Sequence, residues 1–218
     1  MCAGASTYEA LDAAGTKPGD RVGIVGVGGL GHMGIIFARA MGCGVTAITS
    51  DYSKLSSLFE LGADEIRTPD KLHLSHTQKK RTHGGQDSQY QTTDLPQPMS
   101  IDVLLITSNA IPDLSGYLGL LARRATIVLM TIQEDSISIP YMPFVLPGHR
   151  LIASTEASHQ NHSEMLEFAA RHKIEPVVEE FPMTLEGAAA AFERLETGKM
   201  RYRGVLVREV ESSVADKI

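Results

Sequence analysis

No tryptophan and only two cysteines, Cys2 and Cys43, occur in the 218 residues. Two thiols build no framework of bridges, so a disulfide-stapled secreted fold is excluded and a reducing compartment is expected. Positive charge is also short: 20 Lys and Arg against 26 Asp and Glu leave a net charge of −6. That balance argues against a nucleic-acid partner or an anionic membrane surface. No apolar run reaches the roughly 18 residues of a membrane span, and the first fifteen residues lack the charged and apolar regions of a secretory signal. The expectation is a soluble cytoplasmic protein. No Gly-x-Ser-x-Gly elbow occurs, so Ser-His-Asp chemistry has no support. Eight histidines are present. The pairs His73/His76 and His159/His162 have no Cys or carboxylate cluster beside them, so no metal site is expected there. Lys79-Lys80-Arg81 reads as a solvated charge run.

The informative stretch is Arg21 to Gly44, RVGIVGVGGLGHMGIIFARAMGCG. A β-branched run (Val22, Ile24, Val25) meets Gly26-Val27-Gly28-Gly29-Leu30-Gly31, and a helical pattern follows with Leu30, Met33, Phe37, Ala40 and Met41 on one face. Strand, glycine turn and helix in that order are what a dinucleotide pyrophosphate requires. Gly26 allows the turn, Gly28 lets the backbone approach the phosphates, and Gly31 lets the helix sit near the strand. The helix N-terminus adds free N–H groups and partial positive charge. A second strand is expected over Val45 to Thr49.

The rest of the chain alternates in the same way. A short helix is predicted over Tyr8 to Ala14, a helix over Ser53 to Leu61 stopped by Gly62, and a third strand over Glu65 to Arg67. Residues 68–100 have few apolar side chains and no sustained period, and read as a flexible surface insertion. Ile101 to Ile106 is a continuous apolar run suited to a strand buried on both faces. Leu114 to Leu121 looks helical, Thr126 to Met130 and Leu151 to Ala153 read as strands, and Glu164 to His172 as an amphipathic helix. Val177 to Phe181, Leu185 to Glu196 and Gly204 to Arg208 read as strand, helix and strand. The fold class is α/β, a doubly wound parallel Rossmann sheet with strand order 3-2-1-4-5-6. Residues 1–176 form the dinucleotide-binding domain and 177–218 a short C-terminal segment.

Several segments carry a family likeness. They are Cys2-Ala3-Gly4 with Tyr8, Lys17-Pro18-Gly19-Asp20-Arg21-Val22, GVGGLGHMG at Gly26 to Gly34, and Leu61-Gly62-Ala63-Asp64. Later come Met165-Leu166-Glu167-Phe168, Ala191-Phe192-Glu193-Arg194-Leu195 and Arg201-Tyr202-Arg203. With these the chain resembles the medium-chain dehydrogenase/reductase family, the zinc-type alcohol dehydrogenases, in particular its cinnamyl-alcohol-dehydrogenase-like branch. The resemblance implies a truncated member that lacks the GroES-like catalytic domain and its zinc ligands. Cys2 falls at the family's last catalytic-zinc ligand, and one thiolate holds no zinc, which takes three protein ligands in a catalytic site. No zinc is therefore expected from this chain alone.

By the same likeness the cofactor is bound through Gly26, Gly28, Gly29, Leu30, Gly31, Thr49, Ser50, Ser53, Lys54, Thr107, Thr131 and Thr155, with His32 in the wall. Thr49 stands where NAD binders usually put a ribose-holding acid. Hydroxyls and Lys54 suit a 2′-phosphate, so NADP is favoured over NAD, although Asp51 would repel a phosphate or bond a ribose hydroxyl. Ser53 is alternatively a helix cap. Thr131 replaces a glycine of the family pattern, and Ser154-Thr155-Glu156-Ala157 replaces Gly-Ser-Phe-Ile. Thr107 and Glu156 are the catalytic candidates, Glu156 being either a solvated loop carboxylate or a pocket acid/base. The resemblance implies an oxidoreductase acting on a small alcohol, aldehyde or carbonyl substrate. Two alternatives stay open: a redox-neutral cyclase- or isomerase-like enzyme in the same pocket, and a non-catalytic cofactor-binding module. The likeness further implies a homodimer through the edge matching Ser136 to Tyr141, and uncovered apolar residues at Val177, Val178, Phe181, Val205 and Leu206.

Overall fold

A computed structural model describes residues 2–51, 53, 55–69, 76–79, 90–93 and 100–208, with 76–79 and 90–93 described by backbone alone. Its residue contacts divide the chain into two compact units, 1–175 and 176–218.

The first unit is built on a parallel sheet. β1 (Arg21–Val25) runs between β2 (Gly44–Ile48) and β6 (Ile101–Ile106), pairing in parallel with both. β3 (Glu65–Arg67) lies outside β2, while β7 (Leu121–Leu129) and β8 (Arg150–Ala153) continue the sheet beyond β6. The six parallel strands therefore stand in the doubly wound order that the alternation implies, with the topological switch between β1 and β6. Val22, Ile24, Leu104, Leu105, Ile106, Ile127 and Val128 fill the core, all nearly or wholly buried. Such continuous apolar strands form because both sheet faces are covered.

Two further strands, β4 (His76–Lys79) and β5 (Tyr90–Thr93), extend the sheet antiparallel beyond β3. They fall within the stretch expected to be an irregular insertion. A ladder at a sheet's outer edge is held by backbone hydrogen bonds and needs no alternating apolar face, so no pattern announced it. The rest of 70–99 lies outside the described residues.

α1 (Cys2–Ala13) begins six residues before the expected helix start at Tyr8. Its first turns are made of small residues, Ala3, Gly4, Ala5, Ser6 and Thr7, all buried. A Cβ on Gly4 would lie in ordinary van der Waals contact, 3.6 Å from Phe37 and from the Met165 sulfur. α2 (Gly31–Ala40) is buried on more sides than one stripe: His32, Ile35 and Ala38 are inside together with Met33 and Phe37, while Leu30, Ala40 and Met41 are only half-buried. α1 and the sheet both cover it. α6 (His159–His172) starts earlier than its apolar face suggested, because the Ser158 hydroxyl accepts from the Asn161 N–H and caps it. Tyr8 packs between Phe37 and Phe168, with ring centroids 5.7 and 5.6 Å away.

α3 (Leu55–Glu60) follows β2, α4 (Ser115–Leu118) is a single short turn ahead of β7, and α5 (Tyr141–Val145) precedes β8. Of Ser136 to Tyr141, expected as an edge strand, residues 136–140 are in no strand and Tyr141 opens α5, and β8 is the last strand on that side. Ile139 packs on the protein's own core, while Ile137 is exposed. Among the described residues no helix is long and apolar enough to cross a membrane.

The second unit is one β-α-β turn. β9 (Val178–Pro182) and β10 (Arg203–Val207) pair in parallel, with α7 (Leu185–Glu196) between them in sequence. Thr184 caps α7 by accepting from the Gly187 N–H at 3.1 Å. The Arg194 guanidinium beside Glu179 holds that carboxyl below the usual range. Every residue of β10 is exposed.

Candidate cofactor site

β1 ends at Val25, and the chain turns at Gly26 with φ of +85°, a conformation that favours glycine. The Gly28 N–H donates to the Gly26 carbonyl at 3.3 Å, and α2 begins at Gly31. The three motif glycines answer different demands. A Cβ on Gly26 would lie 2.6 Å from the Ser108 Cα, and one on Gly31 would lie 2.2 Å from the Gly26 carbonyl oxygen. Those two positions are closed by the protein's own backbone. Among the described residues, chain neighbours aside, a Cβ on Gly28 would meet nothing within 4 Å, and Gly28 is exposed. Leu30 at the start of α2 carries no side-chain cap. An open backbone position beside a bare helix N-terminus is a cradle that suits a pyrophosphate. His32, wholly buried in the first turn of α2, places Nδ1 3.2 Å from the Gly28 carbonyl oxygen. Gly29 and Leu30 complete the turn, both half-buried.

The loop after β6 closes on this turn. The Thr107 hydroxyl donates to the Gly26 carbonyl at 2.6 Å and lies 3.0 Å from the Val25 carbonyl. Its hydrogen is engaged by the turn, so the geometry makes Thr107 a tie between two strand ends. Thr131, just after β7, donates to the Ser108 carbonyl at 2.7 Å. Gln133 accepts from the Ile111 N–H at 2.8 Å and holds the same loop further out. Sequence reasoning missed Gln133, whose local context carries no signal.

At the end of β2, Thr49 is buried and its hydroxyl oxygen accepts from the Asp51 N–H at 3.1 Å. Ser50 beside it is exposed. The Asp51 carboxylate accepts from the Ser53 N–H at 2.9 Å and from the Ser53 hydroxyl at 2.6 Å. Asp51 is therefore the acceptor in this turn and Ser53 the donor. Lys54 lies outside the described residues. Thr155 and Glu156 are exposed on the loop after β8, which gives Glu156 the solvated setting of its two readings. Ser154 before them is buried.

On β3, Glu65 and Arg67 form a buried ion pair at 2.6 Å, and Arg21 of β1 joins Glu65 at 3.2 Å. No sequence pattern singled out this network, although two charges flanking Ile66 in a short buried strand were its trace. Each buried charge needs the other, since removing one partner leaves an uncompensated ion.

The cysteines stand apart. Cys2 is exposed at the start of α1, and Cys43 is buried with its thiol donating to the Lys17 carbonyl at 3.4 Å. Burial pushes the Cys43 thiol up to about 11, which keeps it protonated. Among the described residues no group of three or more His, Cys, Asp or Glu side chains is placed to hold a metal ion. His159 and His162 lie in the first turn of α6, and His73 is outside the described residues.

A family model described as zinc-binding dehydrogenase matches residues 29–171. The chain belongs to that family. Within the medium-chain dehydrogenase/reductases, this zinc-type dehydrogenase chain is of the cinnamyl-alcohol-dehydrogenase-like kind. An alcohol dehydrogenase of Geobacillus stearothermophilus is 31% identical over 206 residues, covering 94% of this chain and 56% of the relative. The NADP-dependent alcohol dehydrogenase C 1 of Mycolicibacterium smegmatis is 30% identical, with 94% and 53% covered. A cinnamyl alcohol dehydrogenase of Sorghum bicolor superposes with a TM-score of 0.76 at 27% identity, covering 100% of this chain and 56% of that one. The chain thus spans about half the length of the curated relatives it matches.

Proposed function

We propose that this zinc-type dehydrogenase chain is an NADP(H)-binding oxidoreductase acting on an alcohol, aldehyde or other carbonyl substrate. The observation that carries the reading is the Gly28 cradle, open at the switch point while Gly26 and Gly31 are packed shut. The similarity to an NADP-dependent alcohol dehydrogenase supports the choice of cofactor. Gly26 to Gly31 would hold the pyrophosphate, and Thr49, Ser50 and Ser53 would face the adenine ribose. Hydrogen bonds from Ser53 engage the Asp51 carboxylate, which reduces its repulsion of a 2′-phosphate. Thr107, Thr131 and Thr155 would border the nicotinamide end. The bound cofactor supplies the hydride acceptor or donor.

The described residues do not fit a catalytic zinc, which needs three protein ligands. Glu156, exposed on the loop after β8, is read as a solvated carboxylate and is assigned no proton-transfer step. Thr107 acts by holding the turn in place. We also assign the cytoplasm, where the two free thiols stay reduced, and a two-fold homodimer, because Ile137, Tyr141, Met142 and Leu146 are exposed on the stretch that leads into β8, the last strand on that side of the sheet.

The test is titration with NADPH and NADH followed by an assay of hydride transfer. NADPH is expected to bind more tightly, and Thr49→Asp to shift preference toward NADH by repelling the 2′-phosphate and accepting from the ribose hydroxyl. An unchanged preference would move cofactor selection away from Thr49, and absence of binding by both nucleotides would refute the reading.

A further inference from the structure

Three strand ends are joined by side-chain hydrogen bonds that the backbone alone does not make. Thr107 joins the end of β6 to the glycine turn through the Gly26 carbonyl. Thr131 joins the end of β7 to the next residue of the same loop, through the Ser108 carbonyl at 2.7 Å. The Ser108 backbone is also the surface against which Gly26 is packed, since a Cβ on Gly26 would meet the Ser108 Cα and nitrogen at 2.6 and 2.7 Å. A Ser108 displaced outward loses its contact with the turn, while the turn itself stays anchored on the other side by the Gly26 N–H donating to the Ile48 carbonyl at 2.9 Å.

We propose that Thr131 is a positioning residue whose hydroxyl clasps Ser108 and so fixes the loop that borders the nicotinamide half of the cofactor. This rests on the dinucleotide reading given above. It assigns Thr131 a part that a glycine in the same place cannot perform, because the clasp is made by the side chain. Two mononucleotide halves of a doubly wound sheet lie on opposite sides of the switch point. β7 is on the side away from β2, so the clasp acts on one half only.

That asymmetry supplies the test. Thr131→Val keeps the branched shape and removes the hydroxyl, and Thr131→Ser keeps the hydroxyl. NADPH and 2′,5′-ADP, which carries only the adenine half, are titrated against the wild type and both variants, with melting curves alongside. The Val variant is expected to bind NADPH about fivefold more weakly, the effect of one hydrogen bond, with 2′,5′-ADP affinity unchanged. The Ser variant is expected to restore NADPH binding. Wild-type NADPH affinity in the Val variant overturns the clasp, as does an equal loss for both nucleotides. A wild-type protein that binds neither nucleotide defeats the cofactor reading itself, and the clasp with it.

Discussion

β6 and β10 are both parallel strands announced by short apolar runs, yet they stand in opposite settings. β6 is buried along almost its whole length, with Leu104, Leu105 and Ile106 inaccessible, whereas Val205, Leu206 and Val207 of β10 are each 39% exposed. An apolar run states that a strand is suited to cover on both faces. It does not state that the same chain provides the cover. The first unit answers its own demand with α2, α1 and the neighbouring strands, while in the second unit one helix faces two strands and leaves Phe192 and Leu195 exposed as well. A shallow groove of about 310 Å³ between α7 and β10, lined by Phe192, Leu195, Met200 and Leu206 among others, is the open remainder.

Matched truncations test this contrast with the largest expected effect. Leu104→Ala should cost about 2–5 kcal/mol of unfolding free energy, because it leaves a cavity in a closed core. Leu206→Ala should cost below about 1 kcal/mol, since it removes surface that water already reaches. Urea denaturation measures both, and equal losses would break the comparison.

Association follows at intermediate size. If exposed apolar surface beside the sheet edge holds two copies together, Ile137→Lys should shift a sedimenting dimer toward monomer, since a desolvated lysine opposes the contact. If only Leu206→Lys does so, the second unit is the interface. A wild-type chain that sediments as monomer at micromolar concentration contradicts the dimer.

The smallest effect is electrostatic. His149 is buried beside Phe144, and among the described residues neither of its ring nitrogens has a hydrogen-bond partner. Burial lowers its pKa from 6.5. The unfolded chain therefore binds the proton more readily, so the stability owed to a neutral His149 is present above pH 6.5 and lost as pH falls through the folded value. His149→Phe should flatten the decline of Tm below pH 6.5, and an identical decline in both proteins would remove His149 from the account.

The features legible in the sequence are those whose cause is local. Gly26 to Gly31 between a β-branched run and a helical pattern gave β1, the turn and α2, and the same alternation gave the parallel strand order. The first half of α1 was not legible, because Ala3 to Thr7 are small and show no apolar period, and they are buried where α2 and α6 pack against α1. In the site, the glycine turn could be read residue by residue. The Thr131–Ser108 clasp could not, since its partners are 23 residues apart and meet only where two loops converge. Nor could the roles of Asp51 and Ser53 in their turn, which depend on which group donates.

Gly28 is left open while Gly26 and Gly31 are closed by the fold, the arrangement that suits a phosphate. Gly28 has a backbone φ outside the left-handed region, and a Cβ there would meet no atom within 4 Å among the described residues beyond its chain neighbours. NADPH titration of the wild type and Gly28→Val, with melting curves of the unliganded proteins, tests this directly. The account predicts saturable NADPH binding by the wild type, none by the variant, and unliganded stabilities within about 0.5 kcal/mol of each other. Equal NADPH binding by the two proteins would contradict it.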